Sequence, residues 1–153
     1  MKLRIHHFFD IIRDFGKKEE FKPHPYGHSY HKVAKAIWDN SNLTIKIIVA
    51  CDDICDGCIH LKDNSCDDVI NHRKDFRYKE EFNDYLDRRI MEACLISKDE
   101  VFTPIQLCRK TRPYLENILW IYQGNDLAHT LTRKKSVISG LKEYSEKHKF
   151  DIT

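Results

Sequence analysis

The chain has 153 residues, 41% of them hydrophobic, which suits one domain with a real core. Twenty-six Lys and Arg against 24 Asp and Glu leave a formal charge of +2, so no electrostatic argument favours a nucleic-acid or other polyanionic partner. Met1 to Phe9 carries no long apolar stretch and Ile45 to Ala50 is too short to cross a bilayer, so neither a signal peptide nor a membrane span is expected. The expected setting is cytoplasmic, where thiols stay reduced and six cysteines point to metal or redox chemistry rather than disulfides.

The expected fold class is mainly α with one or two short strands, a compact single domain over residues 1–153 with a Cys-rich metal-binding loop. In chain order, Ile5, Phe8, Phe9, Ile11, Ile12 and Phe15 recur at helical spacing, predicting a helix from Leu3 to Phe15 that ends at Gly16. Pro23, Pro25 and Gly27 mark an irregular loop, after which Ser29 is the expected cap of a helix carrying Tyr30, Val33, Ala34, Ile37 and Trp38. Leu43 to Ala50 is rich in β-branched residues and reads as a strand delivering the chain to Cys51. Cys51 to Cys66 has a loop composition. Asp67 and Asp68 look like first-turn helix residues, predicting a polar helix over Val69 to Arg77.

A firmer amphipathic helix is predicted from Lys79 to Cys94, on Phe82, Tyr85, Leu86, Ile90 and Cys94. Ser97 to Glu100 reads as a turn, and Thr103-Pro104 as the cap and first position of a helix through Arg109. Tyr114 to Tyr122 predicts one short apolar helix. Leu127 to His148 predicts a terminal amphipathic helix, whose basic outer face includes Arg133, Lys134, Lys135, Lys142 and Lys147. Such a charge run is usually a solvated face, and nucleic-acid binding through it is not expected.

The pattern Cys51-x3-Cys55-x2-Cys58-x7-Cys66 places four thiols close enough for one loop to surround one ion or cluster. Thiolates are soft donors that suit zinc and iron–sulfur irons, and four complete either site. Structural zinc sites usually pair two short knuckles across a longer connection. Here only one Cys-x2-Cys pair occurs, so an iron–sulfur cluster, 4Fe–4S in type, is favoured over zinc. The fourth ligand is open between Cys66 and His60, and Asp52 and Asp53 are expected to turn away from the sulfurs and accept backbone N–H bonds. Cys94 and Cys108, far along the chain, are expected to pack as small hydrophobes. His6 and His7 are candidates for a position beside the centre or for acid/base work, alternation around a helix allowing only one to face a given pocket. His24, His28 and His31 add to an imidazole-rich N-terminal region.

The string Ala50-Cys51-Asp52-Asp53-Ile54-Cys55-Asp56-Gly57-Cys58 followed by Cys66 resembles the signature of a family of small bacterial and archaeal proteins, domain of unknown function 1284, proposed to bind iron–sulfur clusters. Leu3-Arg4-Ile5-His6-His7 resembles that family's opening Leu-Arg-Pro-His-His, and Asp87-Arg88-Arg89-Ile90 with Asp99-Glu100-Val101 resembles its later helix and turn. The chain departs from the family where Ile5 and Ile59 replace prolines and where Phe8 and Phe9 stand in place of an early cysteine. The resemblance spans about residues 2 to 107. It implies a family-like core over residues 1–108, holding the Cys loop 51–66, and a helical extension over 109–153. It names no reaction.

Two functions follow as expectations. With all four cysteines ligating, the site is closed and serves electron transfer or structural stabilisation, with a redox partner protein. With three ligating, one iron stays open and the protein is an enzyme acting on a small molecule, a histidine supplying the proton. The absence of a nucleotide loop, nucleophile elbow or metalloprotease helix places the closed site first.

Overall fold

The computed structural model describes residues 1–152. In chain order these form β1 (Lys2–Leu3), α1 (Ile5–Gly16), α2 (Tyr30–Asp39), β2 (Ile45–Ile47), a 3-10 turn (Asp53–Cys55), β3 (Leu61–Lys62), β4 (Ser65–Cys66) and α3 (Lys79–Cys94). Then follow β5 (Val101–Phe102), α4 (Pro104–Arg109), α5 (Thr111–Glu116), α6 (Ile118–Ile121) and α7 (Leu127–His148). The fold is mainly α, as the periodicity predicts. The described strands number five rather than one or two, and none exceeds three residues.

Helix α1 occupies the centre because its apolar residues cover most of its circumference: Ile5, Phe8, Phe9, Ile11, Ile12 and Phe15 are all buried. Burying one such side chain contributes about 1.5–3 kcal/mol, so this helix organises the core. Helix α7 lies along it at backbone contact. A Cβ added to Gly16 would meet Ser136 O at 1.9 Å, and one added to Gly140 would meet Ile12 O at 1.7 Å. From α7, Val137, Leu141 and Tyr144 enter the same core, and the Tyr144 hydroxyl donates to Ile37 O of α2 at 2.8 Å. The segment read as an extension beyond residue 108 thus supplies the helix packed most closely on α1.

A three-stranded sheet in the order β1-β2-β5 flanks the start of α1, with β1 parallel to β2 and β5 antiparallel to it. Leu3 faces Ile47 across one ladder, and Ile45 faces Phe102 across the other. This pairing sets the exit of β2, and so of the Cys loop, beside the N-terminus of α1. Within the loop β3 and β4 form a hairpin, whose turn residues Asp63 and Asn64 both adopt positive φ, as a two-residue hairpin turn of this hand requires.

Three local expectations are corrected. Val69 to Arg77 is not helical: Val69 bridges to Tyr78, Ile70 N–H donates to Arg77 O, and the segment folds back as a loop. Its anchor is Arg73, which pairs with Asp75 at 2.6 Å, donates to Asn125 and lies over the Phe82 ring. A helix there would have had no apolar stripe to bury. The stretch from Tyr114 to Tyr122 is two helices rather than one, broken at Asn117, whose side chain donates to Pro113 O. Ser29 precedes α2, but its hydroxyl does not cap that helix and donates instead to Asp56 O in the Cys loop. Thr103 behaves as expected, forming a capping box with Gln106 at the start of α4. Among the described residues no helix is long and apolar enough to cross a membrane.

Candidate metal centre

Three anchors fasten the Cys loop. The first is its own aspartates: Asp52 Oδ2 accepts Arg4 N–H at 2.8 Å, Asp52 Oδ1 accepts Ile54 N–H at 3.1 Å, and Asp53 accepts Lys2 N–H at 2.9 Å. Both carboxylates accept backbone donors, which ties the loop to β1 and to the entry of α1.

The second anchor is the Pro-Gly loop before α2. Ile59 N–H donates to Tyr26 O, and Ser29 N–H donates to Ile54 O, both at 2.8 Å. Gly27 and Gly57, at φ +76° and +78°, meet backbone to backbone: a Cβ on either would lie 2.6–2.8 Å from the other's carbonyl oxygen. Only glycine permits this approach. It brings the loop that carries His24 and His28 against the loop that carries Cys55 and Cys58.

The third anchor is a buried arginine. Arg4 is 1% exposed, and its guanidinium pairs with three carboxylates of α3: Glu80 at 2.6 Å, Asp84 at 2.8 Å and Asp87 at 2.7 Å. Glu80 then reaches the loop, its Oε2 accepting Cys66 N–H at 3.1 Å and the Cys51 thiol at 3.6 Å. Sequence reasoning missed Arg4, Glu80 and Asp87. An acidic residue in the first turn of a helix reads simply as a complement to the helix dipole, so no local signal singled out Glu80.

All six cysteines are free thiols; Cys51, Cys55, Cys58 and Cys66 are partly exposed, whereas Cys94 and Cys108 lie in the apolar core. Burial, with the neighbouring Asp52 charge, pushes the Cys55 thiol up to about 11. Burial, with Cys55 and Glu80, raises Cys51, and burial raises Cys66. Protonated thiols donate to nearby carboxylates, Cys51 to Glu80 and Cys55 to Asp52 at 3.7 Å. Accordingly, among the described residues no three His, Cys, Asp or Glu side chains converge as a ready ligand group. In donor chemistry the four free thiols of the loop suit a thiolate-bound centre. Forming one requires them to lose protons and turn from these carboxylates.

A cavity of about 740 Å³ opens beside the loop, lined by Cys55, Cys58 and Cys66 but not by Cys51. Both His6 and His7 line it, correcting the expectation that only one of the pair faces a given pocket. Their rings tilt together at 4.2 Å because each Nδ1 is drawn to a buried carboxylate, His6 to Asp87 at 2.8 Å and His7 to Asp52 at 2.7 Å. Burial opposes charge on His7, but Asp52 outweighs it and raises the His7 pKa. A carboxylate on Nδ1 fixes the ring and leaves Nε2 as the atom available to bind or exchange a proton.

The His24 and His28 rings, which also line the cavity, stack at 4.3 Å, and burial followed by the His24 charge lowers the His28 pKa. His60 is elsewhere: it pairs with Asp67 at 2.8 Å and does not line the cavity. Arg133, expected on the basic outer face of α7, turns inward to pair with Asp10 and cover the Tyr122 ring. Cavity-wall charges are largely paired in this way, which leaves imidazole edges and thiols as its reactive groups.

No curated protein and no solved structure matches the chain. A family model does match, over residues 24–123, beginning later and running further than the stretch of resemblance read from the sequence. It takes in the Pro-Gly loop from His24 onward, the whole Cys loop, and α3 through α6. With well over half of its length matched, the chain belongs to the family described as Protein of unknown function (DUF1284).

Proposed function

We propose that this protein binds a metal centre on Cys51, Cys55, Cys58 and Cys66, an iron–sulfur cluster of the 4Fe–4S type with zinc as the alternative occupant, and serves electron transfer or stabilisation of its own fold. The observation that supports this reading is the contrast among the cysteines. The four on the loop are free and partly exposed, while the two outside it are buried hydrophobes. A bound cluster would supply one-electron redox capacity, and zinc would supply a crosslink alone. The chain's own part is to hold the loop, through Asp52 and Asp53 on backbone N–H groups and through Gly57 against Gly27.

The deciding experiment is the visible spectrum and metal content of anaerobically purified protein, because iron–sulfur charge transfer is coloured and zinc thiolate is not. Stoichiometric iron with sulfide, or stoichiometric zinc, is expected. Protein with neither sinks the proposal.

A second reading, an enzyme acting on a small molecule, is favoured by the cavity, whose volume falls within the range of ligand sites. Three of the four thiols face it, together with two imidazoles fixed by carboxylates. Serine variants separate the two. Under the closed site each of the four, Cys66→Ser included, loses the centre. If Cys51→Ser or Cys66→Ser keeps a full cluster while Cys55→Ser does not, the site is open.

A further inference from the structure

Glu80 joins groups that the chain keeps far apart. One carboxylate holds the guanidinium of Arg4 on Oε1 and, on Oε2, both the backbone N–H of Cys66 and the thiol of Cys51. Cys51 and Cys66 are the first and last cysteines of the loop, and no strand pairs them: β4 ends at Cys66 against Leu61 of β3, not against Cys51. While Cys51 keeps its proton the Glu80 carboxylate links the two ends of the sulfur set directly; once that thiol ionises, the link runs from the Cys66 N–H through Glu80 and Arg4 to Asp52, the neighbour of Cys51. It is itself rigidly held, since Arg4 is 1% exposed and pinned by Asp84 and Asp87 of the same helix, while the Arg4 N–H is bound to Asp52 beside Cys51.

Resting on the reading of Cys51, Cys55, Cys58 and Cys66 as metal ligands, we infer that Glu80 is the positioning residue of that centre: through the Cys66 N–H on one side and Arg4, bound to Asp52, on the other, it keeps the two ends of the Cys loop together after Cys51 gives up its proton, so that all four thiols can reach one metal. Closing a flexible loop costs conformational entropy, and a loop closed before the metal arrives spares the binding step that cost. Glu80 does this without acting as a ligand, since both of its oxygens are already engaged. Glu92 is the natural control: it is an exposed acidic residue on the same helix, outside the Arg4 cluster.

The test uses the full chain, reduced and metal-free, titrated anaerobically with cobalt(II) alone. Thiolate-to-cobalt charge transfer grows with the number of sulfur ligands, and the titration gives the affinity. Wild type and Glu92→Gln should show the same intensity and affinity. Glu80→Gln should bind cobalt at least tenfold more weakly and with lower charge-transfer intensity, because the loop end carrying Cys66 is no longer held. A residue important only for folding would lower the melting temperature without lowering the number of thiolates bound.

Should Glu80→Gln fail to fold, Glu80→Asp decides the matter. It keeps a charge for Arg4 but falls a methylene short of Cys66, and the same loss of intensity is expected. Wild-type affinity and intensity in a folded Glu80 variant overturn the inference while leaving the metal reading intact. Wild-type protein that takes up no cobalt overturns the metal reading, and the inference with it.

Discussion

Gly140→Ala puts the backbone contact between α1 and α7 to a test in which two physical effects have opposite signs. In a solvated helix, alanine is favoured over glycine by about 1 kcal/mol, so propensity alone predicts stabilisation. Here the new Cβ would stand 1.7 Å from Ile12 O and 2.8 Å from Gly16 N, about half and four-fifths of an ordinary contact distance of roughly 3.5 Å. Both obstacles are backbone, so no side chain can rotate away and the helices must part. Parting them loosens Ile12, Phe15, Val137, Leu141 and Tyr144, all buried at or near this crossing. Overpacking of this kind costs about 3 kcal/mol or more. After the propensity gain, a net loss of at least about 2 kcal/mol is expected, or about 4–8 °C in melting temperature for a chain of this size. Urea denaturation and thermal melts of the variant beside wild type provide the measurement. An unchanged or raised stability would refute the close approach.

Three further outcomes follow from the anchors of the Cys loop. Arg4→Met leaves Asp87, fully buried, with His6 as its one remaining partner among the described residues, and should cost about 3–5 kcal/mol in urea denaturation; a loss below about 1 kcal/mol would count against the buried charge network. Gly57→Ala forces a non-glycine residue to φ +78° with its Cβ 2.8 Å from Gly27 O, so a loss of about 1–3 kcal/mol and lower metal content after purification are expected; wild-type values in both would show that the two loops do not meet. His28, whose folded pKa is lowered by burial and then by His24, takes up its proton first in the unfolded chain, so its contribution to stability falls as pH drops through about 6.5. In His28→Gln the loss of stability between about pH 6.5 and 5 should be shallower, and an identical slope in denaturation series over that range would contradict the assignment.

The sequence alone determined the elements whose signal is local. Helices α1, α3, α4 and α7 lie where apolar spacing and caps place them, and the loop between β2 and β4 lies where the composition of Cys51 to Cys66 places it. Tertiary structure decided the rest. Whether Val69 to Arg77 coils or loops depended on a cluster of aromatic rings that Arg73 finds only in the folded chain. That His6 and His7 share one cavity depended on Asp87 and Asp52, which are 81 and 45 residues away along the chain. The link from Arg4 through Glu80 to Cys51 and Cys66 was invisible for the same reason. Periodicity reports which face of an element is buried, whereas the pairing of charges across elements depends on distances that exist only once those elements have packed.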